Sequence, residues 1–95
     1  MRVVRKRPGE CTELIEIPNT LYALQKEVGG YIETVTFATD ACIICNEEGR
    51  LLGLPENCDL FGIPFVGTIL IVGVNGEEFC DLPEAELWLN TFLVS

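Results

Sequence analysis

The stretch Ile17–Glu33, I-P-N-T-L-Y-A-L-Q-K-E-V-G-G-Y-I-E, decides how this chain folds. After Pro18 stops the preceding segment, Asn19 or Thr20 can cap a helix by accepting the free N–H groups of its first turn. Leu21, Leu24 and Val28 fall at i, i+3 and i+7, a narrow apolar stripe, with Lys26 and Glu27 turned outward. Gly29 and Gly30 end the helix, because glycine takes the left-handed C′ conformation without steric penalty. One glycine would suffice for that; the second permits close packing or the approach of a ligand to the backbone. Tyr31–Phe37 then turns β-branched and aromatic, the composition of a strand. A helix this short is marginal alone, so the stretch predicts a helix held against a sheet.

Upstream, Arg2–Arg7 reads as a strand, and Arg7-Pro8-Gly9-Glu10 puts Pro and Gly at the centre of a type II turn. Cys11–Ile17 returns as a second strand. Downstream, Thr39-Asp40 turns the chain into a strand over Ala41–Cys45, and Asn46-Glu47-Glu48-Gly49 makes a polar tip from which Arg50–Leu52 starts back. Gly53–Pro64, with two prolines and no clear period, reads as an ordered irregular loop of about a dozen residues, a length associated with function. Phe65–Val74 is nearly all apolar, as in a central strand covered on both faces. Asn75-Gly76 signals a hairpin into Glu77–Cys80. Asp81 and Glu84 have capping-box spacing, and Ala85, Trp88, Leu89 and Phe92 follow at helical intervals.

The 95 residues are expected to form a single domain, 1–95. No apolar run approaches the roughly 18 residues of a membrane span, and M-R-V-V-R-K-R-P-G is no signal peptide, so a cytoplasmic location is expected, with no membrane partner. Net charge is −9, unevenly spread. Arg2, Arg5, Lys6 and Arg7 carry most of the positive charge, whereas from Pro8 onward 15 acids face only Lys26 and Arg50, a net of −13. Such an acidic body counts against nucleic acid as a partner. The basic strand is expected to pair with Glu10, Glu13 and Glu16 across the hairpin; a contact strip for phosphate or an acidic partner is the sharper alternative.

Five cysteines without a histidine fit reduced thiols. Cys42-Ile43-Ile44-Cys45 has C-x-x-C spacing, but two isoleucines in the gap predict a buried strand with the thiols on opposite faces. No metal site and no cofactor are expected. With no histidine, and Ser95 as the one serine, a Ser–His or Cys–His hydrolase is excluded. The acid pairs Glu47-Glu48, Glu77-Glu78 and Glu84/Glu86 read as solvated charge on tips and a helix start. The expectation is therefore that the chain is not an enzyme. Residues near turns and glycines remain as candidate ligand or partner contacts: Gly29, Gly30, Tyr31, Glu33, Asn46, Glu47, Leu54, Asn57 and Phe61. Trp88 is expected in the core.

L-x-x-L-Q-K-x-V-G-G-Y-I-E over Leu21–Glu33, C-N-E-E-G-R-L-x-G-L-P-x-N over Cys45–Asn57, and V-G-T-I-L-I-V-G over Val66–Gly73 resemble domain of unknown function 3846. These are short proteins of phages, plasmids and other mobile elements of Gram-positive bacteria. The basic R-V-V-R-K-R start departs from the more apolar first strand of that family. The resemblance implies no enzymatic activity; it implies a mobile-element setting, in which small acidic proteins act by binding.

Together these readings predict an α+β fold: a mixed, mostly antiparallel sheet of about five or six strands, one short helix packed on it and a C-terminal amphipathic helix. The expected function is non-catalytic protein–protein binding, such as antagonism of a host factor. The alternative is a module for a small polar, nucleotide-type ligand, held around Gly29–Glu33 and the 53–64 loop. Apolar Phe92, Leu93 and Val94 also point to a homodimer.

Overall fold

The computed structural model describes residues 1–90. In chain order the elements are β1 Arg2–Lys6, β2 Glu13–Glu16, α1 Leu21–Val28, β3 Ile32–Thr36, β4 Ala41–Asn46, β5 Glu56–Leu60, β6 Ile63–Val66, β7 Ile69–Asn75, β8 Glu78–Cys80 and a 3-10 helix, Ala85–Asn90. Every residue of β4 and the first five of β7 are buried. Strands this apolar need cover on both faces, and the architecture supplies it.

One antiparallel sheet runs β2-β1-β7-β4-β3, and β8 also pairs with β7. β1 pairs with residues 69–71 of β7 and β8 with residues 73–75, so the two lie end to end along the edge of β7 opposite β4. On one face α1 buries Leu24 and Val28 against Val3, Cys42, Ile44, Leu70 and Val72. On the other, the β5–β6 hairpin and the 3-10 helix bring Leu60, Phe65, Leu82 and Ala85 against Val4, Ile43, Ile69 and Ile71. Two cores thus share one sheet. Cys42 belongs to the helix-side core and Cys45 to the hairpin-side core, on opposite faces as the C-x-x-C strand predicts.

The N-terminal half follows local chemistry. Glu10 N–H donates to the Arg7 carbonyl at 3.1 Å with Gly9 at φ +74, a type II turn. Thr20 caps α1, its Oγ1 accepting from Ala23 N–H at 3.1 Å. Asn19 instead donates from Nδ2 to the Phe79 carbonyl at 2.9 Å. The stripe is narrower than the spacing predicts, since Leu21 is 58% exposed. The basic strand is partnered internally. Arg5 donates to Glu13 at 3.0 Å and Glu27 at 2.8 Å, and Arg7 lies 3.7 Å from Glu10 and from Glu13. Arg2 reaches Glu86 of the 3-10 helix at 2.8 Å. Lys6 is buried, 1% exposed, and its Nζ donates to the Arg7 carbonyl.

Four expectations are corrected. First, residues 53–64 are not an irregular loop: Glu56–Leu60 and Ile63–Val66 form a hairpin over a Phe61-Gly62 turn with both residues at positive φ. Second, 65–74 is not one strand, because Gly67 at φ +73 breaks it and returns the chain into the sheet as β7. Third, the C-terminal amphipathic helix gives way, among the described residues, to the 3-10 helix. Asp81 does not cap it; its Oδ1 accepts from Arg2 N–H at 2.7 Å. Glu84, which should complete the cap, stands at φ +52. The sheet is also wholly antiparallel rather than mixed. Trp88 is partly buried and packs edge-on against Phe37 at 5.4 Å. Phe92, Leu93 and Val94 lie outside the described residues.

Candidate functional site

The residues singled out around the double glycine converge at one corner of the sheet, where α1 ends, β3 begins and β4 runs into a turn. Gly29 sits at φ +80 and its N–H donates to the Gln25 carbonyl at 2.8 Å; Gly30 N–H donates to the same carbonyl at 3.0 Å. This is the left-handed stop expected from the sequence. The second glycine has a separate cause. A Cβ at Gly30 would stand 2.9 Å from Asn46 Nδ2. Asn46 is buried, and it pins the corner: Nδ2 donates to the Val28 carbonyl at 3.1 Å, while Oδ1 accepts from Glu48 N–H at 2.8 Å. Gly30 therefore makes room for a side chain of the neighbouring strand.

Beside this pin lies a shallow pocket of about 220 Å³ whose lining includes Gln25, Gly30, Tyr31, Asn46, Glu48 and Leu52. Around the corner, on the hairpin face, a second depression of about 200 Å³ is lined by Glu33, Val35, Glu47, Arg50 and Pro64 among others. The two share Asn46 and Glu48. Tyr31 and Leu52 are 67% and 58% exposed, Tyr22 and Leu51 74% and 86%. Tyr22 lies three residues before Gln25, hence on the same side of α1. The corner thus presents apolar rings and leucines beside carboxylates.

Its electrostatics are predominantly negative. The carbonyl end of α1 carries partial negative charge, and Glu33, Glu47 and Glu48 add full charges. Burial first, and the Glu33 carboxylate second, push the Cys45 thiol up to about 11, so it is neutral near pH 7. Arg50 is the one cation lining either depression, and its guanidinium is engaged with the Pro64 carbonyl. An anion has little to attract it here, whereas a cation or a hydrogen-bond donor does.

Three of the nine candidate residues lie elsewhere. Asn57 is internal: its Nδ2 donates to the Lys6 carbonyl at 2.8 Å and the Gly67 carbonyl at 2.7 Å, tying β5 to the sheet. Leu54 packs over Gly67 in the loop before β5. Phe61, at the hairpin tip, stacks on Phe37 with ring centroids 4.9 Å apart. Conversely, Gln25, Glu48, Leu51 and Leu52 belong to the corner and were not singled out. Two adjacent leucines inside an otherwise polar turn are the sequence signal for the last pair.

Among the described residues no three Cys, Asp or Glu side chains gather as they would around a metal ion, and no helix is long and apolar enough to cross a membrane. Comparison with curated proteins and with solved structures gave no match to this chain. A family model does match, and it covers residues 1–93. With nearly the whole length matched, the chain belongs to the family described as Domain of unknown function (DUF3846).

Proposed function

We propose that this chain is a non-catalytic binding protein of a phage or other mobile element, acting on a host or self protein through the α1–β3–β4 corner. The observation that carries the reading is exposed Tyr31 and Leu52 beside Glu48 at the double-glycine pocket, with exposed Leu51 lining the adjoining depression together with Glu47. Aromatic residues are enriched where protein surfaces meet, and a contiguous apolar patch with a polar rim marks such sites. The carboxylates select a partner that brings basic side chains among apolar ones. Absence of histidine, with no serine before Ser95, leaves no Ser–His or Cys–His pair for hydrolase chemistry.

A photo-crosslinking residue placed at Leu52 in the native host tests this, with Glu10, on the β1–β2 turn, as control. A discrete adduct from position 52 and none from position 10 is expected. Equal labelling at both positions, or none at 52, overturns the assignment of this corner.

A second reading, a small polar ligand of the nucleotide type, has the pocket at Gly30 in its favour. Its volume of about 220 Å³ is below the roughly 300–1,000 Å³ usual for small-molecule sites. Its negative surroundings also repel phosphate, so a partner's side chain fits better. A rise in melting temperature with millimolar nucleotide reverses that ranking.

A further inference from the structure

β3 is an edge strand, and among the described residues no strand pairs with its free side. The Glu47 N–H donates to the Tyr31 carbonyl at 2.8 Å, and Ile32 stands opposite Asn46. In an antiparallel ladder hydrogen-bonded pairs alternate, so Glu33 and Val35 turn their backbone groups to β4. The N–H and C=O groups of Ile32, Thr34 and Thr36 then point away from the sheet. Among the described residues β3 pairs with β4 alone. Natural edges are blunted by proline, bulges, charged side chains or covering segments; β3 has a regular register without proline or bulge, and Glu33 is its one charge. The opposite edge is managed: β2 is four residues long, Arg5 and Arg7 lie over its Glu13, and Thr12 beside it donates to the Leu89 carbonyl at 2.8 Å.

The flanks of β3 match what an added strand requires. Successive side chains of a strand point to opposite faces. On the hairpin face, Glu33 and Val35 border the depression of about 200 Å³ that also holds Glu47 and Arg50. On the helix face, Thr34 and Thr36 border an open groove of about 410 Å³ with Val74 and Phe79 in its wall. One groove holds Glu33, Glu47 and Glu48 against Arg50; the other is lined by threonines and apolar side chains with Glu77 as its one charge. Net charge of −9 opposes pairing of this edge with a second copy of the chain.

We propose that β3 accepts an extended basic segment of a partner protein as an additional antiparallel strand. Its lysines or arginines enter the Glu33–Glu47 groove, and the alternate small or β-branched side chains lie against Thr34 and Thr36. Main-chain bonds to residues 32, 34 and 36 supply affinity, and the two grooves supply selectivity. This rests on the protein-binding reading above and names the geometry and chemistry of the partner.

The probe is the end-capped heptapeptide Lys-Thr-Lys-Val-Lys-Thr-Lys, followed by backbone amide NMR of the whole chain. Binding is expected to slow hydrogen exchange at the Thr34 and Thr36 amides and to weaken with salt. N-methylation of the Thr and Val positions blocks the groups facing β3 and should lower affinity at least tenfold, whereas N-methylation of the lysines should leave it unchanged. Thr34→Pro removes one outward N–H without touching the bonds to β4 and should lower affinity comparably with circular dichroism unaltered. If that variant does not fold, Glu33→Lys reports instead, with several-fold weaker binding. Shifts that map away from β3, or equal behaviour of the two methylated peptides, overturn strand addition. So does a dimer that already protects Thr34 and Thr36 in the free protein. Crosslinking from position 52 that persists in Thr34→Pro rejects the strand model while leaving the binding corner intact; absence of an adduct from position 52 in the parent protein rejects the corner itself.

Discussion

Replacing Gly30 by alanine isolates the contact on which the corner depends. Gly30 has no positive φ, so alanine meets no backbone penalty there; the obstacle is the Asn46 amide, 2.9 Å from the new Cβ. A flexible surface side chain would swing aside, but Asn46 is buried and held by bonds of 3.1 Å to the Val28 carbonyl and 2.8 Å from Glu48 N–H. Displacing it leaves buried polar groups unpaired, at about 1–3 kcal/mol. Restricting the unfolded chain returns about 0.4–1 kcal/mol. The net is a loss of about 1–2 kcal/mol, which lowers the melting temperature of a domain this size by roughly 5–15 °C. Urea melts of Gly30→Ala, Asn46→Ala and the double variant give the decisive number. Once Asn46 is truncated the clash is gone, so the double variant should be about 1 kcal/mol more stable than additivity gives. A Gly30→Ala protein within about 0.5 kcal/mol of the parent, or strict additivity in the cycle, refutes the close-packing account and reopens the space beside Gly30 to a ligand.

Three further outcomes are expected. Asn57→Asp sets a carboxylate against the Lys6 and Gly67 carbonyls that Asn57 now bonds; hydrogen exchange should accelerate at Leu60 and Phe65 while Leu24 and Ile44 stay protected, and uniform acceleration contradicts this. Under native conditions at pH 8 a maleimide should label exposed Cys11 first and Cys58 and Cys80 slowly, with Cys42 and Cys45 reacting only on unfolding, because burial raises the pKa of both; mass spectrometry of digests checks the order. The hydrogen bond from Arg5 lowers the Glu13 pKa, so its stabilising contribution is present above the unfolded value of about 4.3 and is lost as pH falls through the lower folded value. Accordingly, the stability gap between the parent and Arg5→Met should narrow between about pH 5 and pH 3, and a gap that widens on acidification contradicts the pairing.

What could be read from the sequence was what adjacent residues decide. Pro8-Gly9 dictates its turn, Thr20 and Gly29 bound the helix, and the Ala41–Cys45 run declares a strand buried on both sides. The misread segments depend on residues far away in the chain. Asp81 and Glu84 have the spacing of a helix cap, but the Asp81 carboxylate accepts from Arg2, 79 positions distant. The β5–β6 hairpin hides behind Pro55 and Pro64, and its turn places Phe61 at φ +52, where glycine or asparagine is the usual signal. At the candidate site the double glycine, Tyr31 and Asn46 announced the corner. Asn57 carries the same amide chemistry as Asn46, and only its position under the hairpin makes it a structural tie. The free edge of β3 follows from strand order, which no local pattern encodes.

The central place of β7 bears on how this chain acquires its structure during synthesis. β1, β4 and β8 all pair with β7, whose residues 69–75 leave the ribosome after most of the chain. Until then the β1–β2 hairpin and the α1–β3–β4 unit have no strand between them, and each shows water the apolar face that the finished sheet conceals. Neither can close its core alone, so the sheet cannot fold cooperatively until residues 69–75 have been made. Non-local pairings of this kind are slow to form and expose sticky intermediates. The interval between the synthesis of β4 and that of β7 is therefore when the apolar strands are most open to aggregation.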